Sequence, residues 1–114
     1  MTNIIWRIRF TAPAEIDFRR IIGYTEEQFG VRQAAGYRKL IRDALVALQH
    51  GPNIPGSAMR DEIHTGLRTY HIARRGKRAR HFILYRASDD HIIEVIRILH
   101  DAMDLARHLP RDVD

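Results

Sequence analysis

The chain contains no cysteine, and this absence excludes two kinds of architecture. Without cysteine among its 114 residues, the protein can form neither a disulfide framework nor a thiolate metal site. Apolar runs are also short, since none approaches the roughly 18 residues that cross a bilayer. The start, Met1-Thr2-Asn3, lacks the basic segment and cleavage site of a signal peptide. We therefore expect a cytoplasmic protein without membrane contact.

Sequence motifs for metals, phosphates and nucleophiles are missing as well. The histidines include no His-x-x-x-His pair on a predicted helix with a carboxylate beside it, which a metallohydrolase needs. Glycine-rich phosphate loops and nucleophile elbows are absent too. We therefore expect no bound metal and no cofactor.

What the chain does contain is typical of one globular domain. Apolar residues make up 45% of the sequence and charged residues 29%, and the length suits one hydrophobic core. We expect a single domain over residues 1–114. The formal charge of +5 favours encounters with acidic partners, either nucleic acid or a protein with a negative surface.

The first half of the chain predicts a strand followed by two helices. Apolar side chains alternate from Ile4 to Phe10, the period of a half-buried strand. Thr11, with a proline two residues later, is typical of a helix start, and Gly30 of a helix end. A second helix is expected from Val31 to Gln49. The short link between them predicts an antiparallel hairpin. The stripe expected to face the core on the first helix is Phe18, Ile21, Ile22, Thr25 and Phe29.

The second half predicts three strands in an antiparallel meander. They follow an irregular stretch that extends from Pro52 to Gly66 and is rich in proline and glycine. The predicted strands are Leu67 to Ala73, Arg80 to Arg86 and Ile92 to Leu99. A short helix should begin at Asp101 and end at Pro110. The fold class predicted is α+β, with an antiparallel sheet against the helix hairpin.

The last predicted strand is apolar on both faces, so we expect it to be central and covered twice. Strict alternation places Ile93, Val95 and Leu99 on one face, and Ile92, Ile96 and Ile98 on the other. The helix hairpin can cover only one of these faces. A partner chain or the short C-terminal helix should cover the other.

The order of elements and a series of motifs resemble the RelE/ParE superfamily of bacterial type II toxins, and the ParE branch in particular. The resemblance covers nearly the whole chain. It is carried by Thr11-x-Pro13-Ala14 with Asp17, Ile21-x-x-Tyr24, Phe29-Gly30, Met59-Arg60-Asp61-Glu62-Ile63-x-x-Gly66-Leu67-Arg68, Ile83-Leu84-Tyr85-Arg86 and Val95-Ile96-Arg97-Ile98-Leu99-His100-x-x-Met103-Asp104.

This resemblance implies a toxin that acts by binding and is not itself an enzyme. ParE members poison DNA gyrase, so the implied target is gyrase. The implied partner is a cognate antitoxin that neutralises the toxin through an acidic segment in a hetero-oligomer. Contact with DNA would then occur only through the antitoxin.

Two other functions remain open at this point. RelE members cut messenger RNA on the ribosome, and here His100 would be the acid, with Glu62, Arg68 and Arg86 as base and phosphate ligands. Alternatively, His100 only closes its strand, and Arg68 or Arg86 or both pair with Asp61 or Glu62 to fix the irregular stretch to the sheet. RelE-type nucleases have a lysine- and arginine-rich active face, whereas this chain has only two lysines, Lys39 and Lys77. The third possibility is an inactive toxin fold that serves as a co-repressor.

Candidate contact residues for a target or partner come from three places. The hairpin from Arg74 to Arg80 has five cations in seven residues, more than is usual for the ParE pattern, but no aromatic residue for base stacking. The second face of the last strand and the C-terminal helix are the others. The candidates are Arg74, Arg75, Lys77, Arg78, Ile96, Ile98, Met103, Arg107 and Leu109.

Overall fold

A five-stranded mixed sheet packs against a hairpin of two helices in the computed structural model, which describes residues 4–73 and 78–103. The strand order is β1-β5-β4-β3-β2. The elements are β1 (Arg7–Phe10), α1 (Ala12–Phe29), α2 (Val31–Leu48), β2 (Ser57–Met59), β3 (Arg68–His71), β4 (His81–Ser88) and β5 (Ile92–His100). Neither described helix has the length and apolar character needed to cross a membrane. The predicted α+β class is confirmed.

The helix hairpin begins and turns where local chemistry predicted. Thr11 caps α1, because its hydroxyl accepts a hydrogen bond from the Ala14 N–H at 3.2 Å. Gly30 separates the helices at φ +93°, a conformation that favours glycine. One prediction in the apolar stripe was wrong. Phe29 is 65% exposed, because it lies at the tip of the hairpin, beyond the sheet.

The sheet differs from the predicted antiparallel arrangement at both edges. β1 pairs in parallel with β5, from Arg7 opposite Ile92 to Phe10 opposite Val95. β2 was not predicted, since three residues show no period of their own and become a strand only by pairing with β3. The antiparallel meander of β3, β4 and β5 is as predicted.

A β-bulge in β5 changes which of its side chains share a face. Leu84 pairs with Arg97 but Tyr85 pairs with Val95, so Ile96 is an extra residue without a partner. An extra residue reverses the alternation beyond it. Ile98 therefore joins the helix-side core, whereas Leu99 joins Ile96 on the opposite face. Strict alternation had predicted the reverse for Ile98 and Leu99.

Two apolar clusters cover the two faces of the sheet. The larger lies under the helix hairpin and includes Ile41, Tyr85 and Val95. On the opposite face Leu67, Leu84, Ile96 and Leu99 form a smaller cluster, with Ile63 and Phe82 packed against it. The segment between β2 and β3 thus covers part of the second face. Coverage of this face by a partner chain or by the C-terminal helix stays a prediction.

Candidate functional site

Several predicted contact residues lie outside the described part of the chain. Arg74, Arg75 and Lys77 of the basic hairpin are among them, as are Arg107 and Leu109 of the predicted C-terminal helix. The helix itself, expected from Asp101 to Pro110, also falls almost entirely outside. Arg78 and Met103 are described, and Met103 is 45% exposed.

Ile96 and Ile98 are not surface residues. Their exposed fractions are 0% and 2%, and the bulge directs them to opposite faces of the sheet. Ile98 packs in the larger apolar cluster under the helices, and Ile96 packs in the smaller cluster on the opposite face. The prediction that they form one exposed contact face is therefore wrong.

The four residues of the alternative nuclease site have separate partners. Glu62 pairs with Arg60 at 3.2 Å, and Arg86 donates to Glu94 at 2.8 Å. Arg68 donates to the Pro52 carbonyl and to the Ser57 hydroxyl. His100 accepts a hydrogen bond from the Ala102 N–H at 3.1 Å. Among the described residues, no hydrogen bond or ion pair joins any two of the four.

The sheet register also separates two of these residues. Arg86 lies opposite Glu94, whereas His100 lies opposite His81. The two positions are therefore six residues apart along β5, about 20 Å at 3.3 Å per residue. One scissile phosphate cannot contact both side chains.

Arg68 and Arg86 have structural roles, although their partners differ from those predicted. We expected Asp61 or Glu62 to pair with them. Instead Arg68 fixes the irregular segment to β3 through the Pro52 carbonyl, which the Tyr85 hydroxyl also reaches at 2.6 Å. Asp61 accepts from the Gly66 N–H within its own loop.

On the outer face of the sheet, one carboxylate pairs with two arginines. Glu94 accepts from Arg86 at 2.8 Å and from Arg9 at 3.3 Å. The three side chains come from β4, β5 and β1, so the ion pairs cross three adjacent strands. The cluster keeps a net positive charge on this part of the face.

Asp17 is the key residue that sequence reasoning missed. Its carboxylate accepts two hydrogen bonds from Arg97, at 2.6 and 2.8 Å, and a third from the Ile98 N–H at 2.9 Å. The paired carboxylate raises the pKa of Arg97. β1 ends before this part of β5, so Asp17 takes the place of a neighbouring strand. The only sequence signal for this ion pair was the presence of Asp17 in the helix motif, because its partner Arg97 lies 80 positions away.

A groove of about 380 Å³ runs between the helices and the end of β1, and we call it the hairpin groove. Phe10, Phe18 and Leu45 line its apolar part, with the two phenylalanine rings packed edge to face. Arg19, Arg38 and Arg42 line it beside a single carboxylate, Glu15. An apolar floor with excess positive charge suits an amphipathic segment that carries acidic residues.

A second groove, of about 510 Å³, lies on the opposite face of the sheet, and we call it the sheet groove. Its lining residues are Gly56, Arg60, Ile63, Thr69, His71, Phe82, Asp101 and Met103. The lining is mixed, polar at His71 and Asp101 and apolar at Ile63 and Phe82. Met103 is the predicted contact residue that the structure places at a concave surface.

Comparison with known proteins decides the family. The sequence profile of the family described as "ParE toxin of type II toxin-antitoxin system, parDE" matches residues 8–105. The chain belongs to the ParE toxin family. Toxin ParE1 of Mycobacterium tuberculosis is 30% identical over 103 residues, which are 90% of this chain and 97% of that protein. Toxin ParE1 of Caulobacter vibrioides is 31% identical over 101 residues, 89% and 95% of the two chains.

Solved structures show the same fold as this ParE family member. A chain of the chromosomal ParDE TA system from P. aeruginosa has a TM-score of 0.67 and 21% identity, and the match covers 84% of this chain and 96% of that one. A chain of the toxin-antitoxin complex RelBE2 from Mycobacterium tuberculosis has a TM-score of 0.55, also at 21% identity, over 85% and 99% of the two chains.

The ParE-family chain contains no arrangement of metal ligands within residues 4–73 and 78–103. No group of three or more His, Asp or Glu side chains there could hold a metal ion. The histidines near the end of the sheet are instead engaged with backbone and side-chain partners of their own.

Proposed function

We propose that this ParE-type toxin acts by binding DNA gyrase and stabilising its cleaved DNA complex, without catalysing a reaction itself. Membership of the ParE family supports the proposal. The observation that carries it is the separation of the four candidate nuclease residues, each of which is engaged elsewhere. General acid–base cleavage of RNA needs an acid, a base and a phosphate ligand around one phosphate.

We further propose that a cognate antitoxin neutralises the toxin through an acidic amphipathic segment in the hairpin groove. The groove offers apolar contacts from Phe10, Phe18 and Leu45. Three arginines against one glutamate make its charge positive, which is complementary to an acidic partner. The titles of the two similar structures describe toxin–antitoxin systems, which agrees with such a partner.

The experiment that tests the gyrase proposal uses the purified chain with gyrase and supercoiled DNA. We expect linear DNA with gyrase covalently attached to accumulate after denaturation with detergent. Met103→Glu should reduce this accumulation, because the charge falls on an exposed predicted contact residue. Met59→Glu is the matched control, since Met59 is 64% exposed on the edge strand and should tolerate the charge.

The same experiment separates the alternatives. His100→Ala should still trap gyrase on cleaved DNA if the toxin acts by binding, because that activity needs no general acid. Cleaved transcripts on translating ribosomes, lost in His100→Ala and without trapped gyrase, would instead establish the nuclease function. A chain without either activity that still binds operator DNA together with its antitoxin would be a co-repressor.

The antitoxin proposal is tested with charge reversal on α2. Arg38→Glu and Arg42→Glu place negative charge in the hairpin groove and should weaken binding of the cognate antitoxin roughly 10- to 100-fold. Lys39→Glu makes the same change on the same helix outside the groove lining and is the control. Equal affinities of the three variants, measured by calorimetry, would place the antitoxin elsewhere.

A further inference from the structure

Three histidines meet at one end of the sheet because the β3-β4-β5 meander brings their strand ends together. His71 ends β3, His81 begins β4 and His100 ends β5, with His81 directly opposite His100. The rings of His81 and His100 are 5.3 Å apart and stacked edge to face. Asp101 follows immediately and is the carboxylate nearest to this group.

The hydrogen bonds define which nitrogen of each ring carries the proton. Backbone N–H groups only donate, so Nδ1 of His100, which faces the Ala102 N–H at 3.1 Å, must be unprotonated. The same holds for Nδ1 of His71, which faces the Ala73 N–H at 3.0 Å. Each ring is therefore neutral, with its proton on Nε2. His71 uses that proton to donate to Asp101 at 3.0 Å.

His81 is held neutral by a different contact. The Tyr37 hydroxyl accepts from the Arg80 N–H at 3.1 Å and is hydrogen-bonded to His81 Nδ1 at 2.5 Å. Burial, and after it the nearby His100, lower the pKa of His81 to about 4. Asp101 and Asp17 act in the opposite direction, and His71 in the same direction as His100. Burial thus keeps His81 uncharged above about pH 4.

His100 has two alternative partners for the same nitrogen. Nδ1 now accepts from the Ala102 N–H, but Asp101 Oδ1 lies only 3.6 Å away. Once protonated, Nδ1 becomes a donor, repels the Ala102 N–H and attracts the carboxylate. The Asp101 carboxylate already accepts hydrogen bonds from His71 and Arg80. A hydrogen bond from His100 would have to use the same two oxygens.

The turn that would respond is residues 101–103, which borders the sheet groove. Three hydrogen bonds hold it to the sheet. The Ala102 N–H donates to His100 Nδ1. The Asp101 N–H donates to the Arg80 carbonyl, and the Met103 N–H donates to the His100 carbonyl. Asp101 and Met103 both line the sheet groove. A change of partner at His100 therefore changes the shape of that groove.

We propose that His100 and Asp101 form a pH-sensitive switch, in which protonation of His100 exchanges its Ala102 contact for an Asp101 contact and rearranges the 101–103 turn. The two arrangements differ by one proton and one hydrogen bond. Neutral His81, which is hydrogen-bonded to Tyr37, keeps its position while the contacts of His100 change. The sheet groove thus has one shape when His100 is neutral and another when it is protonated.

The first test needs no variant. Long-range proton–nitrogen NMR of the full chain near pH 7.5 should show His100 protonated on Nε2 and not on Nδ1. His64 is the internal control, since its Nδ1 faces the Thr65 carbonyl at 3.1 Å and should carry the proton when the ring is neutral. An Nδ1-protonated neutral His100 would overturn the proposal.

The second test follows the turn during acidification. The Ala102 amide should lose its hydrogen-bonded shift, and its corrected exchange rate should rise about fivefold, as expected for one lost hydrogen bond. The Met103 methyl resonance should move with the same midpoint as the His100 ring. His100→Asn offers a side-chain oxygen that accepts from Ala102 but does not titrate, so both responses should disappear. Their persistence in His100→Asn, or their loss in the control His64→Asn, would refute the switch.

Discussion

Two of the carboxylate clusters along β5, one beside its bulge and one just past its end, differ in what they can do. At the bulge, Asp17 holds Arg97 and the Ile98 N–H, with the side chains of Asp17 and Arg97 only 10% and 21% exposed. At the end, Asp101 contacts His71 and Arg80 in the open. Arginine does not lose its proton in proteins, whereas an imidazole ring can gain and lose one. The cluster at the bulge is therefore fixed, whereas the cluster at the strand end contains groups that can exchange protons.

The largest effect is expected from breaking the fixed cluster at the bulge. Asp17→Asn leaves the Arg97 charge without its counterion and should lower the free energy of unfolding by about 3 kcal/mol, as for other broken buried pairs. Urea denaturation measures this loss. Asp43→Asn, in the exposed Lys39–Asp43 pair of α2, is the matched control and should leave the urea midpoint nearly unchanged.

A double variant sharpens the same point. Asp17→Leu with Arg97→Met removes both charges and should recover part of the lost stability, because apolar residues often replace buried pairs without cost. Full recovery is not expected, since the Ile98 N–H also loses its acceptor. A double variant less stable than Asp17→Asn would contradict this account.

An intermediate effect is expected from pH at the strand end. The folded-state pKa of His81, about 4, lies below the unfolded value of 6.5. Between these values the unfolded chain binds more protons, so the free energy of unfolding should fall as the pH drops from 6.5 to 4. Because His81 is only partly buried, we expect a loss on the order of 1 kcal/mol. Urea midpoints across this range measure it, and His81→Asn should flatten the profile.

The smallest effect is expected from the exposed carboxylate itself. Contact with His71 holds the pKa of Asp101 below its ordinary value, so this stabilisation is present at neutral pH and disappears as acid protonates the carboxyl. Asp101→Asn should cost less stability than Asp17→Asn. The cost should vanish in 1 M salt, where exposed charges are screened, whereas the Asp17→Asn cost should persist. If the stability costs of Asp101→Asn and Asp17→Asn depended equally on salt, the proposed difference between the two clusters would be wrong.

Local chemistry explains which parts of the fold the sequence predicts. Thr11 and Gly30 act within a few residues of themselves, so the start of α1 and the junction between α1 and α2 were correctly predicted. Short β2 and the bulge at Ile96 depend on partners in neighbouring strands, and a period-two pattern does not reveal either. An apolar run such as Ile92 to Leu99 fits both registers equally well.

The site was less predictable for the same reason. Candidate residues were selected by residue type, but an arginine can have a structural role as readily as a functional one, as Arg68 and Arg86 do here. The partnership of Asp17 and Arg97 spans 80 positions of sequence. The hairpin groove was not predicted either, because its arginines on two helices become neighbours only after the hairpin closes.

The parallel pairing of β1 with β5 has a consequence for the order of folding. Arg7 pairs with Ile92, so β1 cannot join the sheet before β5 is available. Contacts between residues this distant in sequence form slowly. On the ribosome, a chain that ends before Ile92 can close the helix hairpin, but it leaves β1 and the Asp17 carboxylate without their partners. Assembly of the complete sheet, and with it of the surfaces described above, is therefore deferred until β5 has been synthesised.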